Sequence, residues 1–220
     1  MISDKYKCIF VHIPKTAGTS IEHKLGHFVE LKKGVQDHRT IKDIMPVTMK
    51  DIIQSILSCN STLLKRHIKK VIKDYNTHFY SKFVNYYKFS FVRNPWSRVY
   101  SWYNNVMRDG EHKIRYNVKN NCTFKEFLQN HMDQKQLRTQ LYWLIDNNNN
   151  LPFDYIGRFE NLNNDFDHIA DIIGLKDKRL PKLLFSSTLH YTKYYDDEMI
   201  EIVFNKYINE IEYFQFKYGE

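Results

Sequence analysis

Apolar and polar positions switch between two periods along this chain, and each switch marks an element. Residues 9–13 are an unbroken apolar run with β-branched members, the pattern of a strand buried on both faces. It stops at Pro14, and a short loop of small, hydroxyl-bearing residues follows. From Thr19 the period turns helical: Thr19 or Ser20 caps, Ile21 and Leu25 face inward, and Gly26 ends the helix. Residues 35–40 form a polar loop. Ile52, Ile53, Ile56 and Leu57, then Leu63, Leu64, Ile68, Val71 and Ile72, recur at helical spacing. They predict two amphipathic helices between 41 and 75, broken near 59–61.

Residues 87–93 predict a second buried strand. Asn94 is a good N-cap and Pro95 a good first helical residue, so a helix starts at once and runs through Trp96, Val99, Tyr100 and Tyr103 to Met107. Thr123 and Glu126 make a capping box for a helix over 124–130. Residues 134–144 predict another helix and the asparagine run at 146–150 a loop. A third strand is expected over 153–159 and a helix over 161–173 ended by Gly174. After a loop over 180–195, Asp196 caps a last amphipathic helix. Strands alternating with helices, without repeats or linker-like breaks, predict one α/β domain over residues 1–220.

Composition narrows this picture. The chain has 220 residues, 42% of them hydrophobic, enough for a substantial core. Its net charge of +8 suits polyanionic partners, whether nucleic acid, anionic lipid, acidic glycan or a highly charged nucleotide. The basic run at 65–70 fits either a polyanion patch or a solvated helix face. Cys8, Cys59 and Cys122 lie far apart and form no C-x-x-C pair, so reduced thiols are expected. No long apolar span and no signal peptide precede the first strand, which predicts a soluble, cytoplasmic protein without a membrane span.

Two strand ends hold the chemistry. A strand passing through a loop into a helix gathers backbone N–H groups around one point, and Lys15 adds a cation there; this suits a phosphate or sulfate. The Walker pattern needs a lysine after the last glycine, but Lys15 comes before Gly18 and no glycine opens the loop. That departure points away from Mg·ATP hydrolysis. At the second strand end, Arg93 precedes a capped helix that also bears Arg98 and Ser101. In open α/β sheets ligands collect at the carboxyl ends of adjacent strands, so two such ends imply a ligand with two separated anionic groups.

These stretches resemble one family. His12-Ile-Pro-Lys-Thr-Ala-Gly-Thr-Ser20 is similar to the 5′-phosphosulfate loop of PAPS-dependent carbohydrate sulfotransferases, the group that includes the heparan sulfate 2-O enzymes and small bacterial relatives. Phe91-Val-Arg-Asn-Pro-Trp-Ser-Arg-Val-Tyr-Ser101 resembles their 3′-phosphate element. Gly157-Arg-Phe-Glu-Asn-Leu162 and Tyr191-Thr-Lys-Tyr-Tyr-Asp-Asp197 resemble later, less specific segments. The resemblance runs from about residue 7 to 215 and is weakest over 41–86. It implies a doubly wound parallel sheet, a P-loop-like fold with a helical insertion at about 41–86, and PAPS across the strand ends.

The resemblance also implies roles. Lys15, Thr16, Ala17, Gly18, Thr19 and Ser20 hold the 5′-phosphate end, Lys15 stabilising charge on the leaving oxygen, while Arg93 and Ser101 hold the 3′-phosphate. His38 is the expected base, with Glu22 and Asp37 as rivals and His12 as a packing residue. Arg158 and Lys193 are further candidates for the cofactor; for Arg158 an ion pair with Glu160 is the alternative. Gln136 or Gln140 is a candidate for sugar contact. The partner is a hydroxylated acceptor, a glycan or glycolipid, and not nucleic acid. Two other readings stay open here: an ATP- or GTP-dependent kinase, and a non-catalytic polyanion binder using 61–75.

Overall fold

The computed structural model describes residues 1–183 and 189–220. The elements run β1 (Ile2–Ser3), β2 (Cys8–Val11), α1 (Gly18–Lys24), α2 (Ile41–Ile44), α3 (Met49–Leu57), α4 (Ser61–Asn76), α5 (Phe79–Asn85) and β3 (Tyr87–Val92). Then follow α6 (Pro95–Arg108), α7 (Gly110–Arg115), α8 (Phe124–Asn130), α9 (Gln140–Leu144), β4 (Tyr155–Arg158), α10 (Leu162–Ile172) and α11 (Asp197–Phe214).

The four strands form one sheet in the order β1-β2-β3-β4, with β2, β3 and β4 parallel and the short β1 antiparallel at the edge. All four β2 residues are buried, as a strand covered on both faces requires. Alternate residues serve opposite cores. Ile9 and Val11 face a core built with α6, α8 and α11, while Cys8 and Phe10 join Phe89 and Phe91 in a second core under α1 and α10. Each fully buried aromatic ring contributes about 1.5–3 kcal/mol. Gly157 on β4 is needed for this packing: a Cβ there would come within 2.5 Å of the Phe91 ring.

Helices cover both faces of the sheet, but strand order follows chain order. Among the described strands there is no reversal of the kind a doubly wound order contains. The carboxyl ends of β2 and β3 are neighbours because Val11 pairs with Ser90, whose hydroxyl donates to the Val11 carbonyl at 2.7 Å.

Two local expectations change. The helix expected over 134–144 is broken into a 3₁₀ turn, Lys135–Leu137, and α9. The carbonyls of Gln136 and Arg138 there accept from the fully buried Arg98 guanidinium at 3.0 and 2.7 Å. The first helix starts at Gly18 on an Ala17 N-cap, so Thr19 and Ser20 lie inside it and cap nothing. The predicted caps at Asn94, Thr123 and Asp196 are all made. Part of the loop expected over 180–195, residues 184–188, lies outside the described residues. Cys8, Cys59 and Cys122 are free thiols. Among the described residues no helix is long and apolar enough to cross a membrane.

Candidate active site

The loop after β2 turns through two left-handed residues that are not glycine, Lys15 at φ 73° and Ala17 at φ 65°. Such a backbone costs about 1–3 kcal/mol per residue, and it persists only where the surroundings fix it. Here the fixing is visible. Thr16 is fully buried and its hydroxyl donates to the Ile13 carbonyl at 2.9 Å. Gly18 lies against the His12 ring, which a Cβ would approach to 1.9 Å. The amide N–H groups of Thr16, Ala17, Gly18 and Thr19 have no acceptor among the described residues. Because α1 has only seven residues, these free donors, rather than a long helix dipole, are what the loop offers to a ligand.

The second strand end meets this loop directly. The Arg93 guanidinium donates to the Lys15 carbonyl at 3.0 Å and to the Ser97 hydroxyl at 3.0 Å, and it lies 3.9 Å from the centre of the Phe159 ring. Its backbone is clamped by a side chain. The Arg93 N–H donates to Gln140 Oε1 at 2.7 Å, and Gln140 Nε2 donates to the Arg93 carbonyl at 2.8 Å. Gln140 thus pairs with the end of β3 as a neighbouring strand would. The buried Glu210 carboxylate holds Gln140 in turn, accepting from its side chain at 3.1 Å and from its backbone amide.

One face of α6 completes the site. Ser97, Ser101 and Asn105 follow one another at four-residue spacing, so they line one side of the helix. Asn105 Oδ1 accepts from Lys15 Nζ at 3.4 Å, and Ser101 is half-buried between its neighbours' turns. Burial, then the charges of Arg93 and Arg108, lowers the Lys15 ammonium to about 8. Burial likewise brings Arg93 down to about 10. Neither cation forms an ion pair among the described residues. Two half-buried positive charges, Arg93 drawn also toward the Glu160 carboxylate, thus stand beside four free amides.

Behind the loop sits a cluster of titratable side chains. His38 Nδ1 lies 3.3 Å from the His12 carbonyl, and the two imidazole rings are 4.2 Å apart. Burial, followed by His12, brings His38 down to about 4, and burial brings His12 to about 3, so both rings are neutral at pH 7. His12 Nδ1 is 3.2 Å from Glu22 Oε1 without hydrogen-bond geometry. Of the rival bases, Glu22 is fully buried, is raised by that burial and accepts from the Asp37 amide at 3.0 Å. Burial pushes Asp37 up, but hydrogen bonds and charge from Arg39 hold it well below the usual carboxylate range.

Three sequence expectations find other surroundings. Arg158 donates to the Phe214 carbonyl, stacks on Phe216 at 4.8 Å and pairs with Glu220 at 3.6 Å, so the C-terminal segment engages it. Its alternative partner, Glu160, instead accepts from the Asn94 amide at 2.8 Å. Lys193 is exposed on the 3₁₀ turn Tyr191–Tyr194 and has no contact with the loop or with Arg93. That turn is fixed to α6 by Tyr194, whose ring stacks 4.3 Å from that of Tyr100. Gln140 is fully buried in the clamp and out of reach of a sugar, and Gln136 donates to the Tyr116 hydroxyl at 2.8 Å.

Sequence reasoning missed Ser97, Asn105, Phe159 and the Gln140–Glu210 pair. A signal existed for Gln140, a lone amide opening the apolar stretch Gln140–Leu144, because a buried polar group needs partners. No curated protein and no solved structure matches this chain. A family model described as the sulfotransferase family matches residues 1–217, spanning the loop after β2, the Arg93 end of β3 and the α11 clamp, and the chain therefore belongs to the sulfotransferase family.

Proposed function

We propose that the chain moves a sulfuryl group from PAPS to a hydroxyl of a carbohydrate acceptor, a glycan or glycolipid. The observation that carries this reading is the contact between the two strand ends: the Arg93 guanidinium rests on the Lys15 carbonyl at 3.0 Å, so one ligand can touch both. The residues fit a doubly phosphorylated nucleotide, because four free amides and two unpaired cations line the meeting point. The amides of residues 16–19, with Lys15, would hold the 5′-phosphate end, and Arg93 with Ser101 the 3′-phosphate. When bound, PAPS supplies the activated sulfuryl group. Transfer of such a group is mostly positioning and charge stabilisation.

Each side chain then has a stated task. Lys15 supplies positive charge where the leaving oxygen becomes negative. Ser97 and the Phe159 ring hold the Arg93 guanidinium in one orientation. His38 accepts the proton of the acceptor hydroxyl: with Nδ1–H donating to the His12 carbonyl, the free lone pair is on Nε2. Its low affinity for protons keeps that lone pair available at neutral pH.

Thermal denaturation with adenosine 3′,5′-bisphosphate tests the cofactor assignment. The expected result is a rise in Tm that disappears in Arg93→Ala, with affinity down about 10²-fold for two charge-assisted contacts. The stabilisation should also weaken as pH rises through about 8, where Lys15 loses its proton. An equal shift in wild type and Arg93→Ala overturns the assignment. A His38→Ala enzyme that keeps most of its sulfuryl transfer removes the base and leaves the cofactor site standing.

A further inference from the structure

Helices α3, α4 and α5, between α2 and β3, take no part in the site, and their surface is inverted. A polar contact joins α3 to α4, and a lysine of α4 reaches back to α2. The buried Ser55 hydroxyl lies 2.8 Å from His67 Nδ1, and Lys70 Nζ donates to the carbonyls of Asp43 and Met45 at 2.6 and 2.7 Å. Ile52, Leu63 and Leu64 are half-buried, but most apolar side chains point outward. Met49, Ile53, Ile56 and Leu57 share one face of α3, and Ile68, Val71, Ile72 and Tyr75 share one face of α4, all of them exposed. Tyr80 and Val84, one turn apart on α5, are exposed as well. No residue of α4 is buried.

Charge accompanies the stripe. Residues 41–85 hold eight basic and three acidic side chains, so +5 of the chain's +8 falls on this region. On α4, Lys65 and Lys69 border the apolar face at helical spacing, and both are exposed without an ion pair among the described residues.

We propose that the α3–α5 face docks on the surface of an anionic lipid bilayer. An amphipathic helix with a basic border lies in the interface, its apolar face at the boundary of headgroups and acyl chains and its lysines on the phosphates. A second copy is disfavoured by charge, since it would press two basic helices together. Nucleic acid or heparin would use the lysines but leave Ile53, Ile68, Ile72 and Tyr75 in water. The surface requires nothing of the PAPS reading.

Co-sedimentation with vesicles tests this on the full chain. Phosphatidylcholine–phosphatidylserine vesicles should capture the protein and phosphatidylcholine alone should capture little, with binding falling as salt rises. Ile68→Glu/Ile72→Glu should weaken capture about ten-fold or more, and so should Lys65→Glu/Lys69→Glu. All four positions are exposed, so the circular-dichroism melting curve should not move. No binding to the mixed vesicles overturns the proposal, as does binding that Ile68→Glu/Ile72→Glu leaves intact, which is what simple polyanion attraction would give. A dimer in sedimentation that the isoleucine pair dissolves also overturns it and assigns the face to a second copy.

Discussion

α4 and α6 are similar in length and both read as amphipathic, yet they end in opposite situations. In α6 eight residues are buried, including Trp96, Val99, Tyr100 and Val106, and the polar stripe of Ser97, Ser101 and Asn105 is turned toward the loop after β2. In α4 nothing is fully buried, and Ile68, Val71, Ile72 and Tyr75 face outward. The lesson is that periodicity says where a helix keeps its apolar face and not whether anything covers it. Covering decides the role. The covered helix builds a rigid edge for a site, and the uncovered one offers a surface.

Substitutions can break or sharpen this contrast. The largest effect is expected beneath the site, where Phe91 is fully buried among Phe89, Phe166 and the α1 side chains. Phe91→Ala should lower unfolding free energy by about 3–5 kcal/mol in a denaturant titration. A loss under about 1 kcal/mol would mean that the second core is not packed as described.

An intermediate effect is expected from acid. The unfolded imidazoles take protons below about 6.5, whereas His38 and His12 resist protonation down to about 4 and about 3 in the folded chain. Between those limits the unfolded state binds more protons, so stability should fall by a few kcal/mol as pH drops from about 6.5 toward 4. Asp37, held low mainly by Arg39 against its burial, adds to the loss at still lower pH. Glu22, raised by burial, opposes it in part. His38→Asn should flatten the upper part of this profile, and an unchanged slope would remove His38 from the buried group.

The smallest effect belongs to the helical array. Ile53→Ser should change stability within about 0.5 kcal/mol, since no cavity is opened at an exposed site. A loss of 2 kcal/mol or more, on the order of a core deletion, would show that another surface covers α3 in solution.

Much of the site was legible from residue type and order. The strand endings near Pro14 and Asn94 read to within two residues, because an apolar run cannot continue through a proline-led loop or a capped helix start, and both signals are local. Arg93 and the 15–20 loop were legible for the same reason. The faulty readings share a different cause. Thr19 and Ser20 are ordinary caps by residue type, but the left-handed turn at Ala17 starts the helix earlier and leaves its amides free. The Glu160 partner considered for Arg158 is a neighbour in sequence, but the guanidinium meets the Phe214 carbonyl, more than fifty positions along the chain.

By itself, then, the sequence determined an α/β chain with Lys15 and Arg93 at the ends of two strands, since hydrophobic period, caps and turn residues act over a few neighbours. Only the tertiary structure decided that Arg93 rests on the Lys15 carbonyl, that Gln140 and Glu210 hold it there, and that the apolar face of α4 is left uncovered. Those outcomes depend on which distant surfaces meet. Burial and long-range hydrogen bonding fix that for the folded chain as a whole, and no window of residues contains it.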